Sequence, residues 1–178
     1  MIRAVWVLLL FFVSALLHAD SLKSEYDLSR GDEVTIPIEK SLGDQLEFVA
    51  EIEVPVNQYS VPSFYLFLKG KKKSLVTLGL ADHECTGAYE VDLDYWPNKN
   101  DKISHYFQNK IPWENSPLIR LIFNKKIKRK RWEHTIMVDN ELSTVITYEP
   151  AKEIKLSGFG NVKVTGVAFS QAESNDKE

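Results

Sequence analysis

From Arg131 to Ser170 the chain reads RWEHTIMVDNELSTVITYEPAKEIKLSGFGNVKVTGVAFS, three short runs in which apolar and polar residues alternate. In the first run His134, Ile136 and Val138 share one parity, and Thr135, Met137 and Asp139 share the other. A period of two sends alternate side chains to opposite faces of a strand, so each run can bury one face and wet the other. Asp139-Asn140 is a tight-turn signal between the first two runs, and Gly158 to Asn161 is a looser one before the last. The C-terminal part is therefore expected to be a meander of antiparallel strands.

The same alternation runs upstream. Val34, Ile36 and Ile38 fall on one side of Glu33 to Ile38, and Leu46, Phe48 and Ala50 on one side of Gln45 to Val54. Ser63 to Lys69 and Leu75 to Leu80 flank the turn Gly70 to Lys73. Ala88 to Tyr95 reads as a further strand, Ile103 to Phe107 as a weaker one, and Leu118 to Phe123 as a central one. Pro55, Pro62, Pro97, Pro112, Pro117 and Pro150 stand at run ends, where strands should stop. Roughly ten short strands, with turn signals between them and almost no helix, predict an all-β fold: a two-sheet antiparallel β-sandwich, or jelly roll.

The N-terminus bears on compartment. Met1-Ile2-Arg3 is a short basic start, Ala4 to Leu17 is apolar apart from Ser14, and Leu17-His18-Ala19 ends on a small residue. This is the layout of a cleaved signal peptide over residues 1–19. The run is shorter than the ~20 residues a membrane span needs, which disfavours an uncleaved anchor. A secreted, extracellular protein is expected, with one domain over residues 20–170 and a polar, disordered tail over 171–178. Removing residues 1–19, which carry Arg3 and no acidic residue, takes the net charge from −3 to −4, so nucleic acid is not an expected partner. Hydrophobic residues make up 44% of the chain, enough for a sizeable core without covalent staples. The single cysteine, Cys85, excludes an intrachain disulfide and reads as a small buried hydrophobe.

Three stretches resemble the galectin family. Ile154, Leu156, Gly160, Val162, Val167 and Phe169 stand in the order of that family's closing strands, I-x-x-L-x-I-x-G-x-V and V-x-F. Leu28 to Ile36 resembles its opening, a glycine shortly before a V-x-I strand, and Leu46 to Ala50 resembles its second strand. The resemblance implies a galectin- and concanavalin A-like sandwich that binds glycans or glycosylated proteins without a cofactor. Galectins hold β-galactosides with H-x-N-x-R on one strand, V-x-N on the next and W-x-x-E-x-R after it. Aligned strand by strand, Gly79, Ala81 and His83 replace the first motif's histidine, asparagine and arginine. Asp92 stands near the V-x-N asparagine. Trp96 follows closer than the family tryptophan does, with no E-x-R after it. β-Galactoside specificity is expected to be lost or changed.

The segment Glu90 to Asp101, EVDLDYWPNKND, carries the most chemistry. Glu90, Asp92 and Asp94 alternate, so their carboxylates share one face of a strand. They could line a sugar groove with Trp96 or Tyr95 offering a ring face. They resemble the E-x-D-x-E strand of sandwich-fold glucanases, in which paired carboxylates cleave a glycosidic bond. Glu90, Asp92, Asn98 and Asp101 could also ligate Ca²⁺, as in legume-type lectins. The plain alternative is a solvated strand face. The basic run Lys125 to Arg131 reads as a solvated hairpin loop, or as a contact for anionic glycans. No G-x-S-x-G, H-E-x-x-H or phosphate loop occurs, and His83, His105 and His134 lack metal-ligand spacing. The expectation is a non-enzymatic lectin without metal, its site formed by His83, Glu90, Asp92, Asp94, Trp96 and Asn98. The alternatives are a galectin-like protein-interaction module and a small glycoside hydrolase using Glu90, Asp92 and Asp94.

Overall fold

The structure, a computed structural model, describes residues 22–40, 42–52 and 62–172. The expected signal peptide and the end of the tail lie outside the described residues. One antiparallel sheet contains β1 (Glu25–Asp27), β3 (Gln45–Ile52), β9 (Leu118–Ile127), β10 (Arg131–Val138), β11 (Glu141–Thr147) and β13 (Val162–Ser170), in the order β1-β13-β3-β9-β10-β11. The second contains β2 (Glu33–Pro37), β4 (Ser63–Lys69), β5 (Ser74–Ala81), β6 (Ala88–Tyr95), β7 (Ile103–Tyr106) and β12 (Glu153–Phe159), in the order β2-β12-β4-β5-β6-β7. A two-residue strand, β8 (Ile111–Pro112), pairs with the start of β6. Apart from a 3₁₀ turn at Ser29–Gly31, no helix is found among the described residues. The expected two-sheet sandwich is what the chain forms.

Alternation makes the core. Phe48 and Ala50 of β3, Leu121 and Phe123 of β9, and Ile136 and Val138 of β10 point inward from the first sheet. Phe64 and Leu66 of β4, Leu78 and Leu80 of β5, and Val91 and Leu93 of β6 meet them from the second. Phe48 and Phe64 pack edge to face, ring centroids 5.8 Å apart, and so tie the sheets together directly.

Three expectations need correction. The C-terminal strands are not one meander. β9, β10 and β11 form one, but β12 crosses to the second sheet between β2 and β4, and β13 returns to the first between β1 and β3. Side-chain parity says which face of a strand is buried and is silent on which sheet the strand joins. The outward crossing is held by Asn124, whose Nδ2 donates to the Ala151 carbonyl (3.0 Å) while its Oδ1 accepts from the Ala151 N–H (2.7 Å). The return turns at Gly160, whose φ of +85° suits glycine. Cys85 is exposed, in the loop after β5, and is no part of the core. The basic loop is shorter than expected: β9 runs on through Lys125 and Lys126, so only residues 128–130 form the turn.

One buried polar group sits beside the outward crossing. His134 is fully buried. Its Nδ1 accepts from the Asn124 N–H (3.4 Å), which leaves the ring proton on Nε2 facing Thr147 Oγ1 (2.9 Å). The Thr147 hydroxyl then donates to the Glu149 carbonyl (2.9 Å). Every polar atom of the imidazole has a partner only in its neutral form. Burial pulls the His134 pKa from 6.5 to about 4. In the unfolded chain the ring takes a proton at higher pH than in the folded one. Stability from this group is therefore full above pH 6.5 and is lost as pH falls towards 4. Denaturant melts should show a drop of about 2 kcal/mol between pH 7 and pH 5 from this residue. His134→Gln should lack that component; an unchanged pH slope in the variant would show the ring is not buried neutral.

Candidate functional site

β4 and β6 bury one parity each and β5, between them, is buried on both faces over Leu78 to Ala81; cross-strand register places the residues of the other parity on the outer face of the second sheet. Tyr65 and Phe67 project from β4, Thr77, Gly79 and Ala81 from β5, and Glu90, Asp92 and Asp94 from β6. Strand register sets these residues in rows. One row runs Ser157, Tyr65, Gly79, Asp92, Tyr106 across β12, β4, β5, β6 and β7. The next runs Lys155, Phe67, Thr77, Asp94, Ser104 across the same strands. Tyr65 and Phe67 stack at 6.3 Å and 25° along β4, with the Lys155 Nζ 5.8 Å from the Phe67 ring. Tyr106, on the edge strand, is 69% exposed.

Gly79 makes the floor of this face. A Cβ there would stand 2.5 Å from Asp92 Oδ1, so the Asp92 carboxylate leans across β5 over the glycine. Gly79 is not among the residues with positive φ, so this position requires space rather than an unusual backbone. The result is a sheet face with aromatic rings at Tyr65 and Phe67 on one side, carboxylates at Asp92 and Asp94 on the other, and the Asp92 side chain covering Gly79 between them.

The three carboxylates differ. Glu90 pairs with Lys110 (2.8 Å), which also reaches Glu84 (2.7 Å). Asp94 accepts from Ser104 Oγ (2.6 Å) and from Lys102 Nζ (3.0 Å). Burial alone would raise the Asp94 pKa, but these two donors outweigh it and hold the carboxyl below its usual range. Asp92 has no such pair: Oδ1 is buried without a hydrogen-bond partner. Burial first, then the neighbouring charge of Asp94, raises the Asp92 pKa, with His83 opposing. Buried Asp82 accepts from the Thr86 and Gly87 N–H groups (2.9 and 2.8 Å) and shapes the loop that carries His83.

The structure brings Glu90, Asp92 and Asp94 onto one face, as their parity predicts. His83 is exposed just past the end of β5, near enough to influence Asp92. Trp96 is half-buried just past the opposite end of the carboxylate row, its N–H bonded to the Leu75 carbonyl (3.0 Å). Asn98 lies in the β6–β7 loop and organises it: Oδ1 accepts from the N–H groups of Asn100 and Asp101, and Nδ2 donates to Asp101. Among the described residues no three His, Cys, Asp or Glu side chains converge as a metal site would require. Sequence reasoning missed Tyr65, Phe67, Ser104 and Tyr106. The parity of Ser63 to Lys69 could have placed the first two on an outer face, but only long-range register shows that they lie on the same face as Asp92.

No protein-family profile and no curated protein sequence matches the chain. Among solved structures it is similar to the galectin LEC-6 of Caenorhabditis elegans, at 14% identity and a TM-score of 0.51, with 85% of this chain and 99% of that chain covered. It is also similar to sheep galectin-11, at 11% identity and a TM-score of 0.47, with 83% and 98% covered. A family 16 endo-glucanase from Bacteroides ovatus aligns at 15% identity and a TM-score of 0.43, with 80% and 67% covered. The fold is galectin-like. Identity at this level carries the fold and leaves the ligand to the site.

A carboxylate with a raised pKa is destabilising at neutral pH, since folding then disfavours its charge. Asp92→Asn should therefore raise the thermal midpoint at pH 7. The gain should shrink as pH falls towards 4, where the aspartate is increasingly protonated in both states. A variant less stable than the parent at pH 7 would show that Asp92 is satisfied in the fold.

Proposed function

We propose that the protein is a lectin that holds carbohydrate non-covalently across the outer face of the second sheet, over Tyr65 and Asp92. The observation that carries this reading is the row Tyr65, Gly79, Asp92, Tyr106 on an open sheet face. Tyr65 and Asp92 are two strands apart, about 10 Å between backbones, and the Asp92 carboxylate covers Gly79 between them, so a sugar ring would lie across this face rather than in a gap. Its C–H face would lie on an aromatic ring and its hydroxyls would donate to the carboxylate, the combination that binds a ligand both greasy and polar. Trp96 and His83 flank the two ends of the β6 row and are proposed to extend the site. Gly79 and Ala81 offer no polar side chain where galectins place histidine and asparagine, so lactose is not an expected ligand.

The lysine pairing of Glu90 and Asp94 favours binding over hydrolysis by those two carboxylates. A retaining glycosidase needs one carboxylic acid with a raised pKa to protonate the leaving oxygen and a second free to attack. Glu90 and Asp94, the outer members of the strand, are both held by lysines. Asp94 lies below the usual carboxylate range, the wrong direction for a proton donor. Export is proposed on the basis of Arg3 and the apolar run after it. N-terminal sequencing of secreted protein should read from near Asp20; a start at Met1 would contradict it.

A glycan array on the mature protein, followed by calorimetry on the best ligand, tests the lectin reading. Tyr65→Ala and Asp92→Ala should each weaken binding by about 1–3 kcal/mol, the scale of a lost aromatic anchor or buried polar contact. Both variants should stay folded. If no glycan binds, the protein-interaction reading takes over; if binding survives both substitutions, the site is on another face.

A further inference from the structure

β11 is an end strand of its sheet, unpaired on its far side among the described residues, and what guards that edge is confined to its first residue, Glu141, whose carboxylate accepts from the Gln108 and Asn109 N–H groups (2.9 and 2.8 Å). Edge strands usually carry a lysine, a proline or a bulge that discourages pairing with another chain. Glu141–Thr147, ELSTVIT, has no lysine or proline, and its register with β10 is unbroken. Other sheet ends are blunter: β1 has three residues, β7 has four, and β2 ends in Pro37.

The exposed edge is self-complementary. Val138 faces Glu141 across the two-residue turn, and the N–H of Asp139 points the other way, to Leu118. Alternation along an antiparallel ladder then turns the backbone groups of Leu142, Thr144 and Ile146 away from β10. The same residues project their side chains outward, Leu142 at 60% and Ile146 at 38% exposure, while Val145 and Thr147 point inward. Thr144 already meets Thr135 Oγ1 to Oγ1 at 3.3 Å.

We propose that β11 pairs antiparallel with β11 of a second copy of this chain, about a twofold axis at Thr144. In that register Thr144 faces the second copy's Thr144, and Leu142 faces the second copy's Ile146 on both sides of the axis. Each of the three outward-facing residues exchanges its N–H and C=O with its opposite number. The exposed apolar pairs cover each other, and the threonine pair extends into a ladder across the junction. Charge agrees with this pairing. The β10–β11 hairpin is acidic at its turn, with Asp139 and Glu141, and basic at its other end, with Lys128 to Arg131. Antiparallel pairing sets each acidic turn about two strand spacings, ~10 Å, from the other copy's basic end, close to a Debye length. The axis is perpendicular to the sheet, so the outer faces of both second sheets point the same way. If these faces bind glycan, as proposed above, the dimer presents two sites to one surface.

A contact built on one seven-residue strand from each copy falls at the small end of specific interfaces, below about 1,200 Å², so the dimer should dissociate on dilution. Sedimentation of the mature protein tests this. The mass should rise from one chain at about 1 μM to two at about 1 mM. Thr144→Pro removes an N–H that β10 does not use, so the monomer ladder should survive it. Leu142→Lys places a charge in the proposed contact. Each should weaken association at least ~tenfold while leaving the thermal midpoint at 1 μM unchanged. If Thr144→Pro does not fold, Leu142→Lys alone decides. A single-chain mass at every concentration would overturn the proposal, as would a dimer that withstands the folded variants.

Discussion

Two sheets held together without a disulfide depend on apolar contact between their inner faces. Cys85 is the chain's single cysteine, so no intrachain bridge can form. Phe48 against Phe64 is one of the contacts that close the sandwich. A close-packed interior is intolerant of volume change, so the inward parity of β3, β4, β5, β6, β9 and β10 is committed to stability. What remains free to vary is the outer faces, the loops and the edges. The features that look functional lie there: the aromatic and carboxylate face around Gly79 and the unpaired edge of β11.

The outer face of the second sheet departs from what stability alone would choose. Glu90 and Asp94 are compensated by lysines, while Asp92 keeps one carboxylate oxygen buried and unpartnered beside a like charge. A carboxylate held in an unfavourable setting by a well-packed scaffold costs stability, and such perturbed groups cluster at functional sites. The galectin-like fold supplies the platform. On this platform Gly79 is covered by Asp92, and the outer face carries aromatic rings and carboxylates.

Much of the fold was legible because burial parity is a local signal. Ser63–Lys69 and Ala88–Tyr95 match their sequence-predicted ranges residue for residue. The sheet to which each strand belongs was not legible. β12 and β13 alternate like their neighbours, yet Asn124 and Gly160 steer them into different sheets through contacts that no short window contains. The short strands β1 and β8 have too few residues to show a period. The shared face of Glu90, Asp92 and Asp94 could be read from spacing alone, because all three lie on one strand. Tyr65 and Tyr106 could not be added to it, since they join Asp92 only through the registers of β4 with β5, β5 with β6 and β6 with β7. Cys85 was misplaced for a related reason: its residue type favours burial, but the loop closed by Asp82 turns it outward.

The central claim is that a sugar sits on the outer face of the second sheet. Backbone amide shifts, followed as a panel of oligosaccharides is titrated into the isotope-labelled mature protein, test it most directly. The account predicts saturable shifts confined to the outer-face residues of β4, β5, β6 and β7, centred on Tyr65, Gly79, Asp92 and Tyr106. Shifts centred on β9, β10 and β11, or none with any sugar, would contradict it.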